Sequence, residues 1–263
     1  MKNTEKKELA VCGFAAVLAL SKIHPEKITR LYFAESRIYD FGDVCKVLAQ
    51  RKAPYNVVKD ISELEKLCGS VHHQGVVAMI EEPKIERLTT DITDGWLHKK
   101  ESALLLDRVG NANNLGAIVR SAAFFGLKNI VIPMAEEQTS VTTSSYRVAQ
   151  GGMERVNIYS ILSIPKLLQA MRGKMIRIGT DLSAKTPVSE IRNLCGKKPA
   201  LIVLGNEENG ISREVKENCD SLVIIPFAGM GDGSAEAPVE SLNVAQAASI
   251  ILYEWGGKKS LES

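Results

Sequence analysis

Five short and almost wholly apolar runs fix the class of fold. They are Ala103-Leu104-Leu105-Leu106, Ile130-Val131-Ile132, Met175-Ile176-Arg177-Ile178, Leu201-Ile202-Val203-Leu204 and Leu222-Val223-Ile224-Ile225. Runs of this length without polar alternation are strands covered on both faces. Segments with helical spacing fall at 115–125, 164–172, 212–218 and 241–255. Buried strands alternating with helices predict an α/β fold built on a parallel sheet. Ligands of such sheets lie beyond the carboxyl ends of the strands. Those ends are therefore the place to look for function.

Residues 1–82 carry a second, smaller alternation. The pattern predicts a helix over 14–22, ended by the approach to Pro25, then a strand over 28–34 and a helix over 43–51. A short strand at 56–58, a helix over 61–68 and a buried strand at 75–80 complete an α/β domain. Residues 83–100 are polar and broken, which predicts an interdomain linker, and 101–263 form the second domain. Two domains also suit 263 residues at roughly 150 per domain.

Charge and cysteine usage exclude several functions. Residues 1–82 carry 12 basic and 11 acidic side chains, and the remainder carries 21 and 20, so any nucleic acid is held by a local patch. The five cysteines (Cys12, Cys45, Cys68, Cys195 and Cys219) form no CxxC pair, and His72-His73 lacks metal-spaced partners. They predict dispersed small hydrophobes in a reducing compartment and no metal site. The apolar run at 9–20 is shorter than the roughly 20 residues that span a bilayer. Glu5, Glu8 and Gly13 argue against a cleaved leader there.

Three polar clusters follow three of the strands. The first, 107–120, carries Asn114 at the expected start of a helix and Arg120 six residues on. Alone, these two are an N-cap and a surface cation. The second, Gly205-Asn206-Glu207-Glu208-Asn209-Gly210-Ile211-Ser212, is a tight glycine-amide loop. A carboxylate at Glu207 is harder to explain as turn chemistry. The third runs from Ile225 through Gly229 to Ser241-Leu242-Asn243, with Ser241 a natural N-cap and Asn243 a poor helix former just inside the first turn.

In order and spacing, these clusters resemble the three motifs of the SpoU (TrmH-type) RNA ribose 2′-O-methyltransferases of the SPOUT superfamily, from about residue 102 to 256. Residues 11–17 and 73–78 look like the substrate-binding domain of the rRNA-modifying subgroup, which is similar to small RNA-binding ribosomal proteins. The resemblance implies a carboxy-terminal trefoil knot, a homodimer joined through the carboxy-terminal domain, and S-adenosyl-L-methionine bent within the knot loops. It implies that Gly205, Ile225 and Leu242 hold that cofactor through backbone groups. Asn114, Arg120, Glu207, Ser241 and Asn243 match catalytic or site-shaping positions.

The implied reaction is methyl transfer to a ribose 2′-hydroxyl of structured RNA in the cytoplasm, rRNA in preference to tRNA, with no membrane or metal involved. A sulfonium methyl is already activated, so the protein must align it with the oxygen and remove a proton. With a pKa above about 12, Arg120 suits a clamp on phosphate and hydroxyl better than a free base, with Asn114 orienting it. The chain also departs from the family pattern. Asn111-Ala112 replaces Asp-Pro, Glu207-Glu208 replaces Glu-Gly, and residues 230–240 lengthen the third motif with Asp232, Glu236 and Glu240. That insert raises an alternative: a catalytically silent RNA-binding paralogue whose cofactor site is altered. A domain binding another nucleotide is disfavoured, because no G-x-G-x-x-G or Walker loop follows a strand.

Overall fold

The computed structural model describes residues 7–134, 140–206, 209–228, 230 and 241–256. The chain divides into two compact units, Met1–Lys84 with Ser140–Arg155, and Ile85–Thr139 with Val156–Ser263.

The first unit runs β1 (Glu8–Cys12), α1 (Phe14–Ile23), β2 (Ile28–Ala34), α2 (Ile38–Gln50), β3 (Tyr55–Val58), α3 (Ser62–Cys68) and β4 (Val76–Glu81). Its sheet has the order β1-β4-β2-β3, with β4 antiparallel to β1 and β2, and β3 parallel to β2. One face packs Leu31, Phe33 and Ala78 against Val17 and Leu20 of α1 and Phe41 and Leu48 of α2. The other packs Ala10, Val77 and Met79 on Leu64 of α3. The apolar run at 9–20 is thus two elements. The chain turns from β1 into α1 at Gly13, whose φ of 95° suits glycine.

The second unit contains β5 (Glu86–Arg87), α4 (Thr90–Lys99), β6 (Ala103–Asp107), α5 (Ala112–Phe124) and β7 (Asn129–Pro133). After α6 (Thr143–Ala149), which belongs to the first unit, it resumes with β8 (Asn157–Ile161), α7 (Ile164–Ala170), β9 (Ile176–Thr180), β10 (Thr186–Pro187) and α8 (Ile191–Cys195). It ends with β11 (Ala200–Gly205), α9 (Arg213–Glu217), β12 (Ser221–Ile224) and α10 (Val244–Gly256). The sheet order is β10-β12-β9-β11-β6-β7-β8-β5, and every neighbouring pair is parallel. Leu105, Val131, Leu201 and Val203 share a core with Trp96, Leu168 and Val215. Arg177 interrupts an apolar strand because its buried guanidinium pairs with Asp220 and donates to Leu168 O at 3.3 Å. That guanidinium holds the Asp220 carboxyl below the usual carboxylate range.

Two segments differ from the sequence-based division. Residues 83–100 are not a bare linker but form β5 and α4. Thr89 caps α4 by accepting from Ile92 N, and Thr93 and Trp96 are buried. The polar composition hides an apolar face of only three positions, Ile92, Trp96 and Leu97, packed on the core that contains Trp96. Residues 140–155, placed by sequence in the second domain, join the first unit. Tyr146 enters the core of α1 and α2, and Glu154 lies 3.5 Å from Lys27 Nζ. Gly151 packs so tightly that a Cβ there would come within 2.6 Å of Ala19 Cβ.

Trp96→Ala should therefore cost about 3–5 kcal/mol of unfolding free energy. Denaturant melts measure this, and a cost below about 0.5 kcal/mol would mean that residues 83–100 contribute no packing.

Candidate active site

The carboxyl end of the second sheet is built around Asp107. This residue ends β6 in register with Gly205 of β11, and its side chain is buried. Its carboxylate accepts from Ser212 N at 3.0 Å and from Arg108 Nε at 3.2 Å. Arg108, with φ of 61°, donates from Nη2 to Gly210 O at 3.3 Å, and its own carbonyl accepts from Asn206 Nδ2 at 3.1 Å. The first strand-end cluster thus grips the second.

Gly205 is required by a close approach. A Cβ there would stand 2.1 Å from the carbonyl carbon of Gly210 and 2.3 Å from Ile211 N. The loop folds back through the Asn206–Gly210 bridge, with Gly210 at φ 61°. Beside it lies a cavity of about 500 Å³, inside the range of about 300–1,000 Å³ usual for small-ligand sites. Gly205, Ile225 and Leu242 all line it, with Val244, Ala247 and Ile251 adding apolar wall. Residues after three different strands thus meet at one largely apolar space.

Of the polar positions, Asn114, Arg120, Ser241 and Asn243 lie within the described residues. The structure corrects two capping assignments. Asn111, not Asn114, caps α5, accepting from Asn113 N at 2.8 Å. Asn114 lies in the first turn, and its Oδ1 accepts from Asn243 Nδ2 at 3.0 Å. Asn243, not Ser241, caps α10: it precedes the helix, and its Oδ1 accepts from Ala245 N at 2.9 Å. Because that oxygen faces a backbone N–H, the amide nitrogen is the end that turns to Asn114. Ser241 lines the cavity. Arg120 is exposed on α5, and among the described residues its guanidinium has no hydrogen-bond or ion-pair partner. Glu207 lies outside the described residues, as does the insert apart from Met230.

The sequence-based reading missed a fourth strand end. Thr180 closes β9, and the next residue, Asp181, lines the cavity together with Lys216 of α9, with which it forms an ion pair. The same strand-end rule that selected three clusters would have selected this one, had its residues been less ordinary.

The family model of the SpoU rRNA methylase family matches residues 101–253, and a model of the RNA 2′-O ribose methyltransferase substrate-binding domain matches residues 10–86. The chain belongs to the SpoU rRNA methylase family. It is a methyltransferase, of a family that uses S-adenosylmethionine. Over 250 residues it is 33% identical to the 23S rRNA (guanosine-2′-O-)-methyltransferase RlmB of Coxiella burnetii, covering 93% of this chain and 94% of that protein. The RlmB of Nitrosomonas europaea is 29% identical over 247 residues, 93% of this chain and 89% of that one. Among solved structures, the AdoMet-bound rRNA methyltransferase of Sinorhizobium meliloti shares the fold, with a TM-score of 0.71 at 22% identity, covering 98% of this chain and 90% of that one.

Gly205→Ala should weaken S-adenosylmethionine binding by about tenfold or more, because one methyl group would collide with the Gly210 and Ile211 backbone at the cavity wall. Calorimetric titration of the folded variant measures this. Unchanged affinity would separate the cavity from the cofactor.

Proposed function

We propose that this methyltransferase transfers the methyl group of S-adenosylmethionine to a ribose 2′-hydroxyl of structured RNA, ribosomal RNA in preference to tRNA. The observation that carries the reading is the Asn114–Asn243 amide pair, which joins the first and third strand-end clusters beside the cavity lined by Gly205, Ile225 and Leu242. The apolar walls of that cavity suit the adenosyl part of the cofactor. The names of the RlmB relatives and the substrate-binding match over residues 10–86 support ribosomal RNA as the substrate.

In this reading, Arg120 clamps the RNA phosphate and the reacting hydroxyl, and Asn114, fixed by Asn243, orients the acceptor. Ser241 shapes the space where methyl group and hydroxyl meet, and Glu207 keeps the catalytic or site-shaping role that the resemblance implies. The proton leaves toward the RNA phosphate, since a guanidinium is a poor base. The family's knot and homodimer are part of the proposal. In support of the dimer, α5 and α10 pack together through the Ser121–Ser249 hydroxyl contact of 2.8 Å. They leave Phe124 82% and Tyr253 45% exposed, as an interface would require. The cytoplasm is the proposed location, where ribosomal RNA would be met.

The first unit offers fewer free cations than its sequence suggests. Lys22, Lys27, Arg30 and Arg37 flank its first helix and strand and are candidates to meet RNA, but Lys27 pairs with Glu154, Arg30 with Glu8, and Arg37 with Asp40 while stacking 4.4 Å over Phe14. Lys22 is exposed and, among the described residues, has no ion-pair partner. Lys22→Ala should lower the slope of log RNA affinity against log salt by about 0.7–0.9. An unchanged slope would remove it from the RNA surface.

Ribose-methylation mapping of total RNA from a deletion strain tests the function directly. One missing 2′-O-methyl site in ribosomal RNA is expected, whereas an unaltered map would favour the silent paralogue. For the mechanism, Arg120→Ala should reduce methyl transfer about a hundredfold or more while S-adenosylmethionine affinity stays within about twofold. Arg120→Lys should restore little, because a point charge replaces a planar fork. Wild-type turnover in either variant would take Arg120 out of the reaction.

A further inference from the structure

Among the described residues lining the cavity, Asp181 and Lys216 are the two that carry charge; the other polar groups there are the neutral side chains of Thr180, Ser183, Asn206, Asn209 and Ser241. The pair is built rather than incidental. Asp181 has a side chain only 7% exposed, and its Oδ1 accepts from Ser183 N at 2.8 Å and from the Ser183 hydroxyl. Its other oxygen pairs with Lys216 Nζ. Burial opposes its charge, but the bonds from Lys216 and Ser183 prevail and keep the carboxyl below its usual range. Lys216 reaches the cavity from α9, with a side chain 36% exposed. An ammonium has three donors, so one bond to Asp181 leaves capacity for a second anion.

S-adenosylmethionine has a matching division of charge. Its adenine and ribose are neutral, while sulfonium, ammonium and carboxylate all belong to the methionyl part. An apolar cavity with one ion pair is therefore complementary to a neutral nucleoside joined to a zwitterion. Taking the cavity to be the cofactor site, as proposed above, we propose that the Asp181–Lys216 pair receives the α-amino-acid end of S-adenosylmethionine, with Lys216 contacting its carboxylate. Asp181 is then a positioning residue that holds the ammonium of Lys216 at the cavity wall and offers charge to the amino group. The competing reading is a plain staple between α9 and the loop after β9, which would hold the cavity's shape without selecting any part of the ligand.

Three ligands distinguish these by calorimetric titration of the full chain: S-adenosylmethionine, its decarboxylated form, and 5′-methylthioadenosine, which lacks the amino-acid end altogether. The wild-type protein should bind the decarboxylated form about tenfold or more weaker than S-adenosylmethionine. Lys216→Met should abolish that difference while leaving the 5′-methylthioadenosine affinity within about twofold. Lys216→Arg, which keeps the cation, should recover most of the preference. Equal loss for all three ligands in Lys216→Met would establish the staple and overturn the proposal. If that variant does not fold, the wild-type comparison decides alone, because equal affinity with and without the carboxylate excludes a carboxylate contact. Should the wild-type protein bind neither S-adenosylmethionine nor 5′-methylthioadenosine, the assignment of the cofactor itself has failed, which is a different outcome.

Discussion

Asp107 ends a central strand with its carboxylate out of water, and the carboxyl end of the sheet is arranged to satisfy it. A buried carboxylate is costly unless it is paired and hydrogen-bonded. Here the backbone of Ser212 and the guanidinium of Arg108 supply donors. Arg108 adopts a left-handed conformation while doing so, a strain of about 1–3 kcal/mol for a residue with a Cβ. The same guanidinium reaches Gly210 O, and the Arg108 carbonyl takes the Asn206 amide. One satisfied charge thus ties Asn206, Gly210 and Ser212 to the end of β6, and the first two of these line the cavity.

The close contact at Gly205 lies in the same loop. Where β11 ends, the returning chain lies within van der Waals distance of the Gly205 backbone, so that no side chain fits between them. Beside it lies the cavity, with Val244, Ala247 and Ile251 of α10 in its wall. Strand interiors contribute stability through the burial of Leu104, Leu105, Leu201 and Ile202, all fully covered. Strand ends contribute chemistry. Residues at the ends of three strands serve both, since Thr180, Leu204 and Ile224 belong to the sheet and also line the cavity.

The strand interiors were legible because an uninterrupted apolar run has few other readings. The run at 201–204 lies within the observed Ala200–Gly205 strand, and the run at 103–106 within Ala103–Asp107. Less was legible where composition and periodicity disagreed. The polar tract at 83–100 conceals α4, whose apolar face rests on Ile92, Trp96 and Leu97. β8 went unread because Asn157, Tyr159 and Ser160 dilute its apolar residues, although pairing with β7 still selects the strand. Capping was ambiguous for a local reason. Asn111, Asn113 and Asn114 are chemically alike, and only the observed hydrogen bonds separate the cap from the residue that reaches α10. The location of 140–155 in the first unit depends on a contact between Gly151 and Ala19 that no local pattern encodes.

The amide pair and the arginine divide the proposed reaction between structure and substrate. Asn243 is fully committed: its oxygen caps α10 and its nitrogen donates to Asn114. Such a residue cannot reorient without freeing a helix end, so it works as a fixed strut that sets the rotamer of Asn114. Arg120 is the opposite case. A guanidinium serving the fold is paired, as Arg177 is with Asp220 and Arg108 with Asp107. Arg120 instead stands exposed on the same helix as Phe124, without a partner among the described residues. The proposed assembly gives both side chains a purpose, since a second subunit would cover the aromatic ring while the phosphate of the acceptor RNA would satisfy the cation. In the proposed reaction, a fixed amide pair that orients the acceptor and an unsatisfied cation that clamps it would make reaction geometry depend on the RNA that enters. A methyl donor alone would then find only half of the site complete.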